Sequence, residues 1–138
     1  MNYHVTVTAQ DDSHAVAETR GHALPLNIKK GAGAAGFNAA ETLLAALGAC
    51  LLTNVQAIGA KMHLHIDAAR IEFDAERCDE PPALTKIRYR LILQSPAPPE
   101  KLRELADLCF KWGTVTNTLV NGLVPHGTLV IEPAQPAG

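Results

Sequence analysis

Three cysteines stand at wide spacing in this chain, Cys50, Cys78 and Cys109, and no Cys-x-x-Cys pair joins them. Thiols in that pattern suit redox or nucleophilic chemistry better than a disulfide framework. Cys50 is the first candidate. A lone thiol of this kind is either a small buried hydrophobe or a nucleophile whose anion its surroundings stabilise. The start of its own helix cannot do this. Cys50 lies twelve residues beyond the cap at Asn38, ~18 Å along the axis at ~1.5 Å per residue, and the terminal field fades within one turn. A tertiary cation is needed, and Arg20, which ends a strand beside Gly21, is the candidate; otherwise it is an ordinary solvated strand-end charge. Glu41 stands nine residues before Cys50, about 900° of rotation at ~100° per residue, on the opposite face of a regular helix. It reaches the thiol only through a long arginine, across a dimer interface or after a helix break, and it also suits a simple capping role. Cys109 is either core packing or a resolving thiol for Cys50; a bridge needs Cα atoms within roughly 7 Å. Cys78 reads as a solvated strand end. His63 and His65 alternate as if on one strand face, without the third or fourth ligand a zinc site requires.

The element that must position Cys50 runs from Asn38 to Met62. Asn38 with Glu41 three residues later makes a capping-box start, and no proline follows until Pro81. A helix so apolar must be surrounded by other protein, and the small residues Ala45, Ala46, Gly48 and Ala49 allow close approach. Before it, residues 3–9, 14–20 and 23–29 read as strands of an antiparallel meander, followed by a Gly/Ala loop from Gly31 to Gly36. After it the period returns to two. Leu64, Ile66 and Ala68 share a face that Ile71, Phe73 and Ala75 continue shifted by one, which suggests a bulge near Ala69. In the next strand Ile87, Tyr89, Leu91 and Leu93 face inward. Pro96, Pro98 and Pro99 open a second helix with Leu102, Leu105, Cys109 and Trp112 on its apolar stripe. Thr114 caps a third helix that runs to Asn121 and ends at Gly122. Thr128 to Glu132 reads as a last strand, and the tail PAQPAG as frayed. The order β-β-β-α-β-β-α-α-β predicts an α+β fold in one domain spanning residues 1–138.

Composition narrows the function classes. The net charge of −2, with no basic run, leaves no electrostatic footprint for nucleic acid or a membrane surface. The longest unbroken apolar run, Leu43 to Leu52, falls short of the ~20 residues that cross a bilayer. The N-terminus lacks a signal-peptide pattern, so a reducing cytoplasmic setting is expected. Two or three strands cannot wrap so apolar a helix alone, which predicts a homodimer with the long helices meeting.

The run Gly36-Phe37-Asn38-Ala39-Ala40-Glu41-Thr42-Leu43-Leu44-Ala45-Ala46-Leu47-Gly48-Ala49-Cys50-Leu51 resembles the helix of the OsmC/Ohr family, G-x-N/S-P-x-E-L-L-L-A-A-L-G-x-C. Gly113-Thr114-Val115-Thr116-Asn117-Thr118-Leu119 resembles that family's second motif, C-P-V-S-N-T-L. The resemblance implies an intertwined α+β homodimer with antiparallel sheets around long central helices and two sites at the subunit interface. It implies thiol-dependent reduction of organic hydroperoxides without a cofactor or metal. Cys50 would be the peroxidatic thiol, Arg20 the cation that stabilises it, Glu41 the arginine's partner, and a dithiol the reductant. The chain departs from the motif at Gly113, where the family has its resolving cysteine; Cys109 is four residues earlier. Ala39 replaces the family proline. Glu41 stands at the spacing of the general OsmC-like branch, the hydroperoxide-resistance branch having its glutamate at the position of Ala40. Two expectations follow: a thiol peroxidase of oxidative-stress defence, or a non-catalytic dimer that binds an apolar ligand or senses redox state through Cys50.

Overall fold

A computed structural model describes residues 1–31 and 33–135. Ala32 of the Gly/Ala loop and the last three residues of the tail lie outside the described residues. Three strands, β1 (Thr6–Ala9), β2 (His14–Thr19) and β3 (His22–Asn27), form an antiparallel sheet in sequence order. The β1–β2 turn closes on the Asp11 carboxylate, which accepts the backbone N–H of Ser13 and of His14 at 2.8 Å each. Those bonds and the neighbouring His14 hold the carboxyl below its ordinary range. The β2–β3 connection is the dipeptide Arg20-Gly21, with φ of 50° and 79°. A two-residue hairpin loop needs two such left-handed residues. Asn27 then anchors the loop that follows: its amide donates to the Ala34 carbonyl, its backbone N–H to Phe37, and its side-chain oxygen accepts from Lys29.

The long helix α1 spans Ala39–Lys61. Both bonds of the expected capping box are present, Glu41 N–H to Asn38 Oδ1 at 2.9 Å and Asn38 N–H to Glu41 Oε1 at 3.0 Å. At the other end His63 takes φ 58°, the His63 N–H donates to Ala60, and the Leu64 N–H donates to Gly59. This is the Schellman arrangement with histidine in the place usually given to glycine. His63 is therefore a helix stop and His65 pairs with Asp67 at 2.8 Å, so the two histidines do not share a strand face as the alternation suggested.

Strands β4 (Ala68–Asp79) and β5 (Pro82–Gln94) make a long antiparallel ribbon. Its register shifts between Glu76 and Arg77, not near Ala69. The period slip seen in the sequence marks the start of β4: Leu64 and Ile66 precede the strand and pack on the core from the turn. Helices α2 (Pro99–Lys111) and α3 (Thr114–Asn121) complete the order. Trp112 is the C-terminal cap of α2 and is exposed, with the Lys111 ammonium 5.4 Å from its ring centroid; it does not continue the inward stripe.

The core forms where α1 lies against α2 and the ribbon. Leu47, Leu51 and Val55 of α1 meet Leu105 and Cys109 of α2, with Ile71, Phe73, Ile87, Tyr89, Leu91 and Leu93 beneath them. Gly48 lets the Phe73 ring approach, since a Cβ there would lie 3.1 Å from Phe73 Cε2. By length and composition α1 could also cross a bilayer, because the whole helix is apolar even where its unbroken run is short. One side of it is nevertheless packed as a core helix. The other side, including Leu43, Ala45, Ala46 and Ala49, is exposed in the single chain. So are Val7 and Leu24 of the first sheet, and Val5 just before it.

The last expected strand, Thr128 to Glu132, carries no strand structure, and Leu129, Val130 and Ile131 are exposed. Among the described residues no neighbouring strand offers it a ladder, and an unpaired strand is not stable in water.

Packing of Phe73 on the bare backbone of α1 gives a direct test. Gly48→Val should lower the unfolding free energy by about 1–3 kcal/mol, because the added methyls must displace the ring. Urea denaturation followed by far-UV circular dichroism measures the shift.

Candidate functional site

Cys50 lies half-buried near the middle of α1. Ala46, Cys50, Thr53 and Asn54 form one stripe of the helix, at the four-residue spacing that aligns side chains. The stripe lines an open depression of about 490 Å³, closed on its other sides by Tyr3, Trp112, Thr114 and Val115. One turn beyond Cys50, the Asn54 amide donates to the Cys109 carbonyl at 3.0 Å. That bond ties α1 to α2 just before the α2–α3 corner. The corner is tight: Gly113 N–H donates to Phe110, Asn117 N–H to the Gly113 carbonyl, and the Asn117 side-chain amide to the Lys111 carbonyl.

The corner brings Gly113 onto the sulfur. A Cβ built on Gly113 would stand 3.1 Å from Cys50 Sγ and 2.6 Å from Thr116 Oγ1. Gly113 has φ −83° and ψ 128°, which any residue adopts, so close approach and not backbone geometry favours glycine here. Gly113 is also the N-cap of α3, where Thr114 was expected to cap, and it has no side chain with which to do so. The first-turn N–H groups of α3 therefore lack a side-chain acceptor, and the positive end of its dipole lies beside the sulfur. Thr116 is 2% exposed, and its hydroxyl has no hydrogen-bond partner among the described residues.

The other expected site residues lie apart. Cys109 is fully buried in the core cluster with Leu47, Leu51, Val55 and Leu105. Burial pushes its thiol up from the ordinary 9.0, which disfavours the thiolate. Glu41 is exposed at the start of α1, where its Oε1 accepts the Asn38 N–H. Arg20 is exposed at the β2–β3 turn and lines a different depression with Asn2, Tyr3, His4, Glu18, Thr19 and Gly21. Tyr3 is common to that depression and to the one at Cys50. Gly113, Thr116 and Asn54 were missed as site residues. The glycine was visible as an interruption, but its contact with sulfur depends on how the α2–α3 corner packs on α1. Among the described residues no cluster of three or more His, Cys, Asp or Glu side chains could hold a metal ion.

Residues 31–126 match the family model described as OsmC-like protein. A search of curated proteins finds no match to the chain. Among solved structures, an OsmC-like protein from Mycoplasma pneumoniae aligns at 22% identity over 87% of this chain and 88% of its own, with a TM-score of 0.80. The organic hydroperoxide resistance protein OhrB of Bacillus subtilis aligns at 18% identity over 86% and 90%, with a TM-score of 0.61. An OsmC-like hydroperoxide resistance protein from Jannaschia sp. CCS1 aligns at 17% identity over 92% and 91%, with a TM-score of 0.57. At these identities the likeness is one of fold.

The contrast between the two thiols is measurable. Iodoacetamide should modify Cys50 in the folded protein and reach Cys109 only on denaturation, as read by peptide mass mapping. The sign for pH follows from the raised Cys109 thiol. Its burial as a neutral group contributes stability below the ordinary thiol pKa of 9.0, and that contribution is lost as pH rises beyond it. Urea midpoints should therefore fall above pH 9, and less so in Cys109→Ala.

Proposed function

The chain belongs to the OsmC-like protein family, and from that premise we propose that it is a thiol-dependent peroxidase for organic hydroperoxides, with Cys50 as the attacking sulfur. The observation that carries this reading is the place of Cys50: a half-buried sulfur in the wall of a largely apolar, open depression, beside the uncapped start of α3. A hydroperoxide needs such a route to the sulfur, and apolar walls favour an organic tail. The thiolate attacks the outer peroxide oxygen. The O–O bond breaks, the sulfur becomes a sulfenic acid, and the other oxygen leaves as an alcohol after taking a proton. Two electrons pass from sulfur to peroxide.

The start of α3 lies beside that sulfur. Arg20 adds a full cation, in this reading, once a second copy of the chain closes over the site. Glu41 supports the same arrangement: only Oε1 is engaged by the cap, which leaves Oε2 to receive a guanidinium. The homodimer rests on the bare apolar side of α1, on Val5, Val7 and Leu24, and on the exposed Leu129, Val130 and Ile131. Apolar surface of that extent marks an interaction face. A reducing compartment such as the cytoplasm suits a thiol of this kind.

A second reading, a non-catalytic dimer that binds an apolar ligand or senses oxidants, draws on a smaller apolar depression of about 200 Å³ lined by Leu47, Ile87, Tyr89, Phe110, Leu119 and Val120 with Thr116. Turnover separates the two. Cumene hydroperoxide should be consumed catalytically in the presence of a thiol reductant, and Cys50→Ser should abolish consumption. Arg20→Ala should reduce the rate about 10- to 100-fold, the loss of a hydrogen bond to a charged group. Peroxide consumption that survives Cys50→Ser rejects the reading. Sedimentation equilibrium should give twice the chain mass at micromolar concentration.

A further inference from the structure

Gly113 places a hydrogen where a side chain would otherwise face the Cys50 sulfur, and the nearest polar side chain to that point is the buried, unpartnered Thr116 hydroxyl. Leaving a buried donor unsatisfied costs free energy, so the hydroxyl calls for an acceptor that the reduced thiol does not supply. The sulfur and the hydroxyl both border the point where a Gly113 Cβ would stand, at 3.1 Å and 2.6 Å, so an oxygen added to Cys50 Sγ on that side would extend toward Thr116. Gly113, which stands against the sulfur, is also the N-cap of α3 and gives its first turn no side-chain acceptor. Cys109 is sealed in the core among aliphatic side chains, while Cys50 opens onto the 490 Å³ depression.

Resting on the peroxidase reading above, we propose that this chain runs a one-cysteine cycle: Thr116 and the first turn of α3 hold the sulfenic oxygen on Cys50, and a small monothiol from solution resolves it. The external thiolate attacks the Cys50 sulfur, the S–O bond breaks, and the hydroxyl oxygen of the sulfenic acid leaves as water after taking one proton, which forms a mixed disulfide. A second monothiol attacks the external sulfur of that disulfide and releases Cys50 as a thiolate with one molecule of small disulfide. Each turnover oxidises two monothiols and reduces one hydroperoxide.

The test uses the full chain, one equivalent of cumene hydroperoxide, dimedone as the sulfenic-acid trap and 2-mercaptoethanol as the monothiol. Peptide mapping should show dimedone labelling at Cys50 alone, still obtained when dimedone is added late in the absence of thiol, and equally in Cys109→Ala. Adding 2-mercaptoethanol should give a mixed disulfide on Cys50 and then turnover. In Thr116→Val the lifetime of the trappable species should fall about three- to tenfold, as loss of one hydrogen bond requires, and Thr116→Ser should retain it. A Cys50–Cys109 disulfide formed while peroxide is consumed overturns the one-cysteine cycle and leaves the peroxidase reading standing. An unchanged lifetime in Thr116→Val also overturns it. No oxidation of Cys50 and no peroxide consumption rejects both. If Thr116→Val does not fold, the adduct-or-disulfide result on the native chain still decides.

Discussion

The approach of a bare backbone to a sulfur atom organises the site. Gly113 can stand against Cys50 only because it has no side chain. That contact requires α2 to end where it does, the α2–α3 corner to be tight, and α1 to be held at one height against both. The Asn54 amide bond to the Cys109 carbonyl sets that height. It crosses between helices at one turn from the thiol, where an error in register would be felt at once. The core around Leu51, Val55 and Leu105 supplies most of the burial, but apolar packing has no direction. A hydrogen bond and a glycine contact do, and they convert a packed helix pair into a defined site.

The same helix is covered on one side only. Leu47, Leu51 and Val55 are sealed, while Leu43 and the small residues near Cys50 remain open. The first sheet is similar, with Val7 of β1 exposed and Ala15 and Asn27 its buried residues. Both surfaces have the composition of an interior and the exposure of an exterior. The tail after α3 has the same character, and its Leu129, Val130 and Ile131 find no ladder in the single chain.

Much of this architecture could be read from residues. The capping box at Asn38, the Arg20-Gly21 hairpin, the inward face of β5 and the three helices follow from local rules that act within a few positions of the chain. What was not legible depends on tertiary placement. Cys50 stands too far along α1 for that helix's own N-terminus to reach it, and the N-terminus of α3 comes beside the same sulfur only through the packing of the α2–α3 corner. Thr114 looked like the cap, whereas the chain enters α3 one residue earlier, at a glycine that cannot cap. His63 alternated with His65 as a strand would, but a left-handed helix stop leaves the same trace in the sequence. The slip after Ala68 likewise recorded the beginning of a strand and not a bulge within one.

Both ends of α1 are closed, by reciprocal bonds at Asn38 and Glu41 and by the Schellman turn at His63. Closed ends oppose fraying toward the centre, where Leu47, Leu51 and Val55 tie the helix to the core. The sulfur therefore rides near the middle of a helix that is capped at both ends and packed on one side. It cannot swing out to meet a reactant, and every displacement that its chemistry demands falls to the molecules that come to it.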